Sequence, residues 1–151
     1  MALIDDIRAL PAELLALRST QAIADALPKR KVVQKAEVGD GAISIALGFP
    51  TGPVFLYQLE SIAGAPLAAD ASVEQVAQYA MVRQAWRSIS KGAFDAGDPS
   101  VRASLDLFVG LLPGFGAEQA AAIKRLAEVD VPVSEYEVRV VCWSDIGEWL
   151  V

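Results

Sequence analysis

The sequence predicts an all-α fold, a single compact domain of about six helices joined by short Pro/Gly connectors. Three observations carry this. Apolar residues recur at steps of three and four along most of the chain, helix-opening caps precede the periodic segments, and Gly or Pro closes them. With 151 residues the chain is long enough to bury a core without disulfides or metals.

The first segment sets Ile4, Ile7, Leu10, Leu14, Leu17, Ile23 and Leu27 at near-helical spacing. This predicts an amphipathic helix that Pro11 kinks or restarts and Pro28 ends. Asp5 and Asp6 sit in its first turn, where negative charge complements the helix dipole. A basic run, "PKRKVVQK", follows, and residues 1–35 together read as an N-terminal amphipathic helix with a basic linker.

Residues 36–151 read as the helical body, with a C-terminal helix and an apolar tail. Its first part, 36–64, supports two readings. "AISIAL" and "VFLYQL" around "GFPTG" look like a β-hairpin over 43–59, because β-branched and aromatic residues flank a Gly/Pro turn. The same residues also make two helices, one capped by Asp40 and closed by Gly48, the other opened at Thr51 with Pro53 in its first turn and ended by Gly64. The helical reading is the one preferred here.

From Ser72 the pattern is plainer. Ser72 and Gln75 form a capping box, no breaker interrupts the helix before Gly92, and Val82, Ala85, Trp86 and Ile89 form its late apolar stripe. Arg83, Arg87 and Lys91 line one edge at intervals of four. Asp98 caps the next helix with Pro99 at its first position, and Val101, Leu105, Phe108 and Leu112 share a face until "PGFG". "AEQAAAIKRLAEV" then predicts the second arm of a helical hairpin, with Ile123 and Leu126 as anchors.

The segment "VPVSEYEVRVVCWSD" is ambiguous, because alternation suggests a strand while Ser134 and Glu137 make a capping box. Its neighbours are capped helices, so a final helix from Glu135 to Gly147 is expected, with Tyr136, Val140 and Trp143 on the packed face.

Function is bounded mainly by composition. Hydrophobic residues make up 54% of the chain and mean hydropathy is +0.37, more apolar surface than a monomer of this size requires. No run approaches the roughly 18 to 20 apolar residues of a membrane span. The start of the chain carries acids where a signal peptide is basic, so export by that route is not expected. The net charge of −6 is unevenly spread. Residues 1–28 hold two arginines against four acids, Lys29, Arg30, Lys31 and Lys35 form a basic patch, and the remainder holds seven basic against fifteen acidic residues. Such a body repels nucleic acid over most of its surface. The patch reads either as a solvated linker or as a docking point for an acidic partner.

Catalytic vocabulary is sparse. The absence of histidine excludes Ser-His-Asp triads and the common zinc sites, and the lone Cys142, among Val140, Val141 and Trp143, reads as a buried apolar residue. "GLLPGFG" lacks the lysine and spacing of a phosphate loop. Asp95 and Asp98 form the only carboxylate pair that suggests hydrolysis, and Asp98 is already explained as a cap. No catalytic residue, metal or cofactor is therefore expected. Interface candidates are Ile4, Ile7 and Leu14 on the N-terminal helix, with Trp143 and Trp149 at the aromatic C-terminus.

Over residues 86–149 the order of elements is a helix, a Gly-Asp-Pro cap, two further helices, an "LAEV-x-x-PVS" connector and a last helix ending in Trp-Ser-Asp. Here the chain resembles small proteins encoded among the structural genes of tailed bacteriophages. The likeness extends less clearly over 47–64 and not over 1–35. It implies a non-enzymatic virion or tail-associated component that assembles in the host cytoplasm through contacts with other protein chains, as an oligomer or part of a larger assembly. Two other classes fit the composition: an acidic inhibitor or regulator of a host protein, and a carboxylate hydrolase that would lose activity in Asp95→Asn.

Overall fold

A computed structural model describes residues 2–144 and 147–151. It is 61% helical, with nine α-helices among the described residues and two small two-stranded sheets. The mainly helical expectation holds, and the count of about six is corrected upward.

The added helices come from the N-terminal segment, which breaks twice. Helix α1 (Leu3–Arg8) stops before Pro11, which stands as the N-cap residue of α2 (Ala12–Ala16). Arg18 then adopts a left-handed conformation with φ 52°, and Ser19 caps α3 (Thr20–Ala26) by accepting the Ala22 N–H. A left-handed residue cannot continue a right-handed helix, so the chain turns there.

The chain divides into two compact units, residues 1–32 with 129–151 and residues 33–128. The basic run explains the division. It carries no helical apolar stripe and runs instead as an extended strand, β1 (Arg30–Val33), exposed at every residue and paired with β4 (Glu128–Val131). The chain leaves the first unit in β1 and re-enters it in β4.

The first unit buries Ile7, Ile23, Ala24, Leu27, Val133, Val138 and Cys142. Its last helix, α9 (Glu135–Cys142), is helical as the cap predicts, with the Ser134 hydroxyl accepting the Glu137 N–H at 3.2 Å. Two details differ. The helix ends at Cys142, because Trp143 turns extended and bridges to Trp149, so Gly147 does not close it. The buried face is Val138 and Cys142, while Tyr136 and Val140 are exposed. Val138, Val141 and Cys142 form the i, i+3, i+4 stripe that meets the core. Asp145, the end of the Trp-Ser-Asp motif, lies outside the described residues.

In the second unit, 36–64 forms helices and no hairpin. A two-residue strand, β2 (Glu37–Val38), leads to α4 (Asp40–Leu47), which Gly48 ends at φ 74°, and α5 (Thr51–Gly64) follows. Gly52 permits the close α4–α5 packing, since a Cβ there would lie 2.8 Å from both the Ser44 Cα and carbonyl oxygen. Asp40 and Thr51 are first helical residues rather than caps.

Helix α6 (Val73–Ser90) opens on the complete Ser72–Gln75 capping box and buries Val82, Ala85 and Ile89. Strand β3 (Phe94–Asp95) pairs antiparallel with β2. Helix α7 (Pro99–Leu111) starts on Asp98, whose carboxylate accepts the Ser100 and Val101 N–H groups. Helix α8 (Ala117–Lys124) passes through a 3-10 turn at Arg125–Ala127 into β4, so the "LAEV" run is not helical to its end. The core gathers Phe55, Leu59, Leu105, Phe108 and Ile123, with Phe115 from the α7–α8 loop stacked on Phe55 at 4.6 Å between ring centroids. Among the described residues no helix is long and apolar enough to cross a membrane.

Candidate functional site

The sequence-derived interface residues all fall in the first unit, and the structure separates them. Ile7 is fully buried in that unit's core, so it presents no surface in the folded chain. Ile4 and Leu14 are half-buried. Trp143 and Trp149 are half-buried too and meet edge to face, with centroids 5.1 Å apart and planes at 71°. That pairing follows from the extended turn after α9, where Trp143 bridges to Trp149 and the Leu150 N–H reaches the Cys142 carbonyl.

Beside this aromatic pair lies an open cleft of about 630 Å³, lined by Arg18, Thr20, Arg139, Val140, Trp143 and Ser144 among others. The Arg18 guanidinium lies over the Trp149 ring, 5.9 Å from its centroid, within range of a cation–π attraction. Its backbone holds the left-handed conformation at a cost of about 1 kcal/mol for a residue with a Cβ. The Thr20 hydroxyl donates to the Glu135 carboxylate at 2.8 Å, which ties α3 to the start of α9. Sequence reasoning did not find this cleft. Its only signal was Arg-Ser-Thr at 18–20, where Ser19 is a cap candidate that forces a turn.

The basic patch residues Lys29, Arg30, Lys31 and Lys35 are all exposed. Arg30 forms an ion pair with Glu137, and this occupies the side chain that a full capping box would direct back to Ser134. Lys35 pairs with Glu37 at 3.2 Å. Half of the patch is thus engaged, Arg30 by a carboxylate of the first unit and Lys35 by one of the second, through exposed pairs of small energetic weight.

The carboxylates singled out as a hydrolytic pair serve the backbone. Asp95 accepts the Ala36 N–H at 2.9 Å and the Gly97 N–H at 3.0 Å. The Ala36 N–H is the main cause that holds its pKa below the ordinary aspartate value, with Gly97, Lys35 and the Asp98 N–H adding and partial burial opposing. A general acid for glycoside cleavage needs the opposite shift. Cys142 is buried, and desolvation pushes its thiol pKa up, away from the thiolate a nucleophile requires. Among the described residues no group of three or more Asp, Glu or Cys is placed to hold a metal ion. Arg102, which sequence reading passed over, is a structural tie, donating to the Ala96 and Lys124 carbonyls and pairing with Glu128 at 3.0 Å.

The second unit carries the more prominent apolar surface, around the α4–α5 turn. Phe49 is 91% exposed and Ile45 85%, while Tyr57 and Val54, one helical turn apart on α5, are also exposed. The exposure of Phe49 has a local cause. Gly48 ends α4 in a left-handed conformation and Pro50 restarts the chain, which leaves the Phe49 ring outside both helices. The core side of the same turn is filled by Ile43, Phe55 and Leu59. Comparison with protein-family models, curated proteins and solved structures finds no match.

Proposed function

We propose that the protein is a non-enzymatic assembly component that works through contacts with other protein chains, self-association through the α4–α5 turn among them. The exposure of Phe49 and Ile45 at that turn carries the reading. A phenylalanine ring left in water forgoes roughly 1.5 to 3 kcal/mol of burial energy, and large exposed apolar groups clustered at one place mark interaction surfaces. The surplus of apolar residues and the lack of histidine in the sequence support the same reading. Membership of a tailed-phage virion, near the tail, is the finer form of the proposal, and it rests on the resemblance over residues 86–149.

The test is native molar mass by light scattering, across concentration and salt, for the wild-type chain and for a Phe49→Ser, Ile45→Ser variant. The proposal expects the wild type to exceed its 16.0 kDa chain mass as concentration rises, with little response to salt, and the variant to remain a monomer. An association that strengthens at low salt and survives the double substitution would point to charge pairing and would sink it.

A further inference from the structure

The open cleft of the first unit is not needed to explain the fold, yet it combines groups whose chemistry converges on one type of ligand. Arg18 and Arg139 both line it, with Trp143 and Val140 supplying apolar wall and Ser144 a hydroxyl. Neither guanidinium forms an ion pair with another described residue. Arg18 is also pre-positioned. Its seat over the Trp149 ring restricts the side chain, so less freedom is lost when a ligand binds. The Glu135 carboxylate near the cleft is engaged by the Thr20 hydroxyl.

We propose that this cleft binds an acidic peptide segment of a partner protein, with its carboxylates on Arg18 and Arg139 and a neighbouring apolar side chain against Trp143 and Val140. Charge complementarity selects the occupant. Two planar guanidiniums are matched by carboxylates, each of which can accept a forked pair of N–H bonds. The volume of about 630 Å³ suits a few residues of extended peptide and lies in the range of ligand pockets generally. The inference rests on the reading that the chain acts through protein contacts, but it concerns a different surface from the α4–α5 turn.

The experiment is a titration of the full-length chain with the peptide Ac-Glu-Leu-Glu-NH2 and its neutral counterpart Ac-Gln-Leu-Gln-NH2, followed by tryptophan fluorescence. Trp143 and Trp149 report on the cleft, while Trp86, in the other unit, gives a constant background. The acidic peptide is expected to produce a saturable change, at least about tenfold tighter than the neutral one and weakened by salt. Arg139→Gln should weaken it about tenfold, and Arg18→Gly, which removes the guanidinium while relieving the backbone strain, should do the same with the fold intact. Arg139→Lys should retain part of the binding, because the charge stays while the fork is lost. Equal binding of the two peptides, indifference to both arginine substitutions, or no saturable change at millimolar peptide would overturn the proposal. Because peptide binding is read on the monomer's own fluorescence, its failure leaves self-association through Phe49 to be judged separately.

Discussion

Gly97→Ala should be among the most damaging single-methyl changes in the second unit, and the reason can be worked from distances. A Cβ at Gly97 would lie 2.0 Å from the Gln34 carbonyl oxygen and 2.7 Å from its carbonyl carbon. Ordinary contact begins near 3.4 Å, so the two backbone segments must part by about 1.4 Å. The same segments are joined by Ala96 N–H to the Ala36 carbonyl at 3.0 Å and by Ala36 N–H to the Asp95 carboxylate at 2.9 Å. Opening by that amount takes both beyond hydrogen-bonding range. Two lost bonds at about 1 kcal/mol each, with about 1 to 3 kcal/mol of overpacking strain, give a destabilisation of about 3 to 5 kcal/mol. Gly110→Ala is the control, since nothing lies within 4 Å of its Cβ and it sits inside α7. It should stabilise by about 0.5 to 1 kcal/mol. Guanidinium denaturation followed by far-ultraviolet circular dichroism measures both. If Gly97→Ala unfolds within about 0.5 kcal/mol of the wild type, the close approach of Gln34 to Gly97 is wrong.

Three further outcomes are expected. Val138→Ala should cost about 2 kcal/mol by denaturation whereas Tyr136→Ser stays within about 0.5 kcal/mol, an order that reverses if the packed face of α9 carries Tyr136 instead. Cys142 should react with a thiol reagent only as its unit opens, so its rate should rise steeply with denaturant; rapid labelling of the native chain would contradict its burial. Asp95, whose folded pKa is depressed, contributes stability that is present above its unfolded value of 3.8 and is lost as pH falls through the folded one. Asp95→Asn should therefore flatten the acid limb of a stability-against-pH curve, and an unchanged limb would show that the hydrogen bonds to Ala36 and Gly97 do not bias its ionisation.

The helices were legible where their ends carry chemistry. Ser72 with Gln75, Asp98 with Pro99, Ser134, and the glycines at 48 and 92 each place a boundary through one identifiable hydrogen bond or one left-handed residue. What escaped reading depends on contacts between segments distant in sequence. The short strands at 30–33, 37–38, 94–95 and 128–131 have no alternating pattern long enough to announce them, and they form because a partner lies alongside. The two cores are likewise invisible to periodicity, which reports that a face is buried and not against what. For α9 the cap was read correctly, but an eight-residue helix admits more than one apolar stripe, and the chain used Val138 and Cys142.

The candidate surfaces were less legible for the same reason. Trp143 and Trp149 could be singled out as aromatic, yet their pairing depends on the extended backbone at Trp143 after α9, and the seat of Arg18 above Trp149 depends on a left-handed residue between α2 and α3. The exposure of Phe49 comes from a turn that the hairpin and helix readings both contained, and neither specified which way its ring would face.

Hydrogen exchange of the full chain, compared at dilute and at high concentration, tests the central claim most directly. Self-assembly through the α4–α5 turn predicts that exchange slows with concentration chiefly over residues 41–58, while the amides of the first unit keep their dilute rates. Slowing centred on any other surface, or none at concentrations where exposed apolar groups should meet, would contradict it.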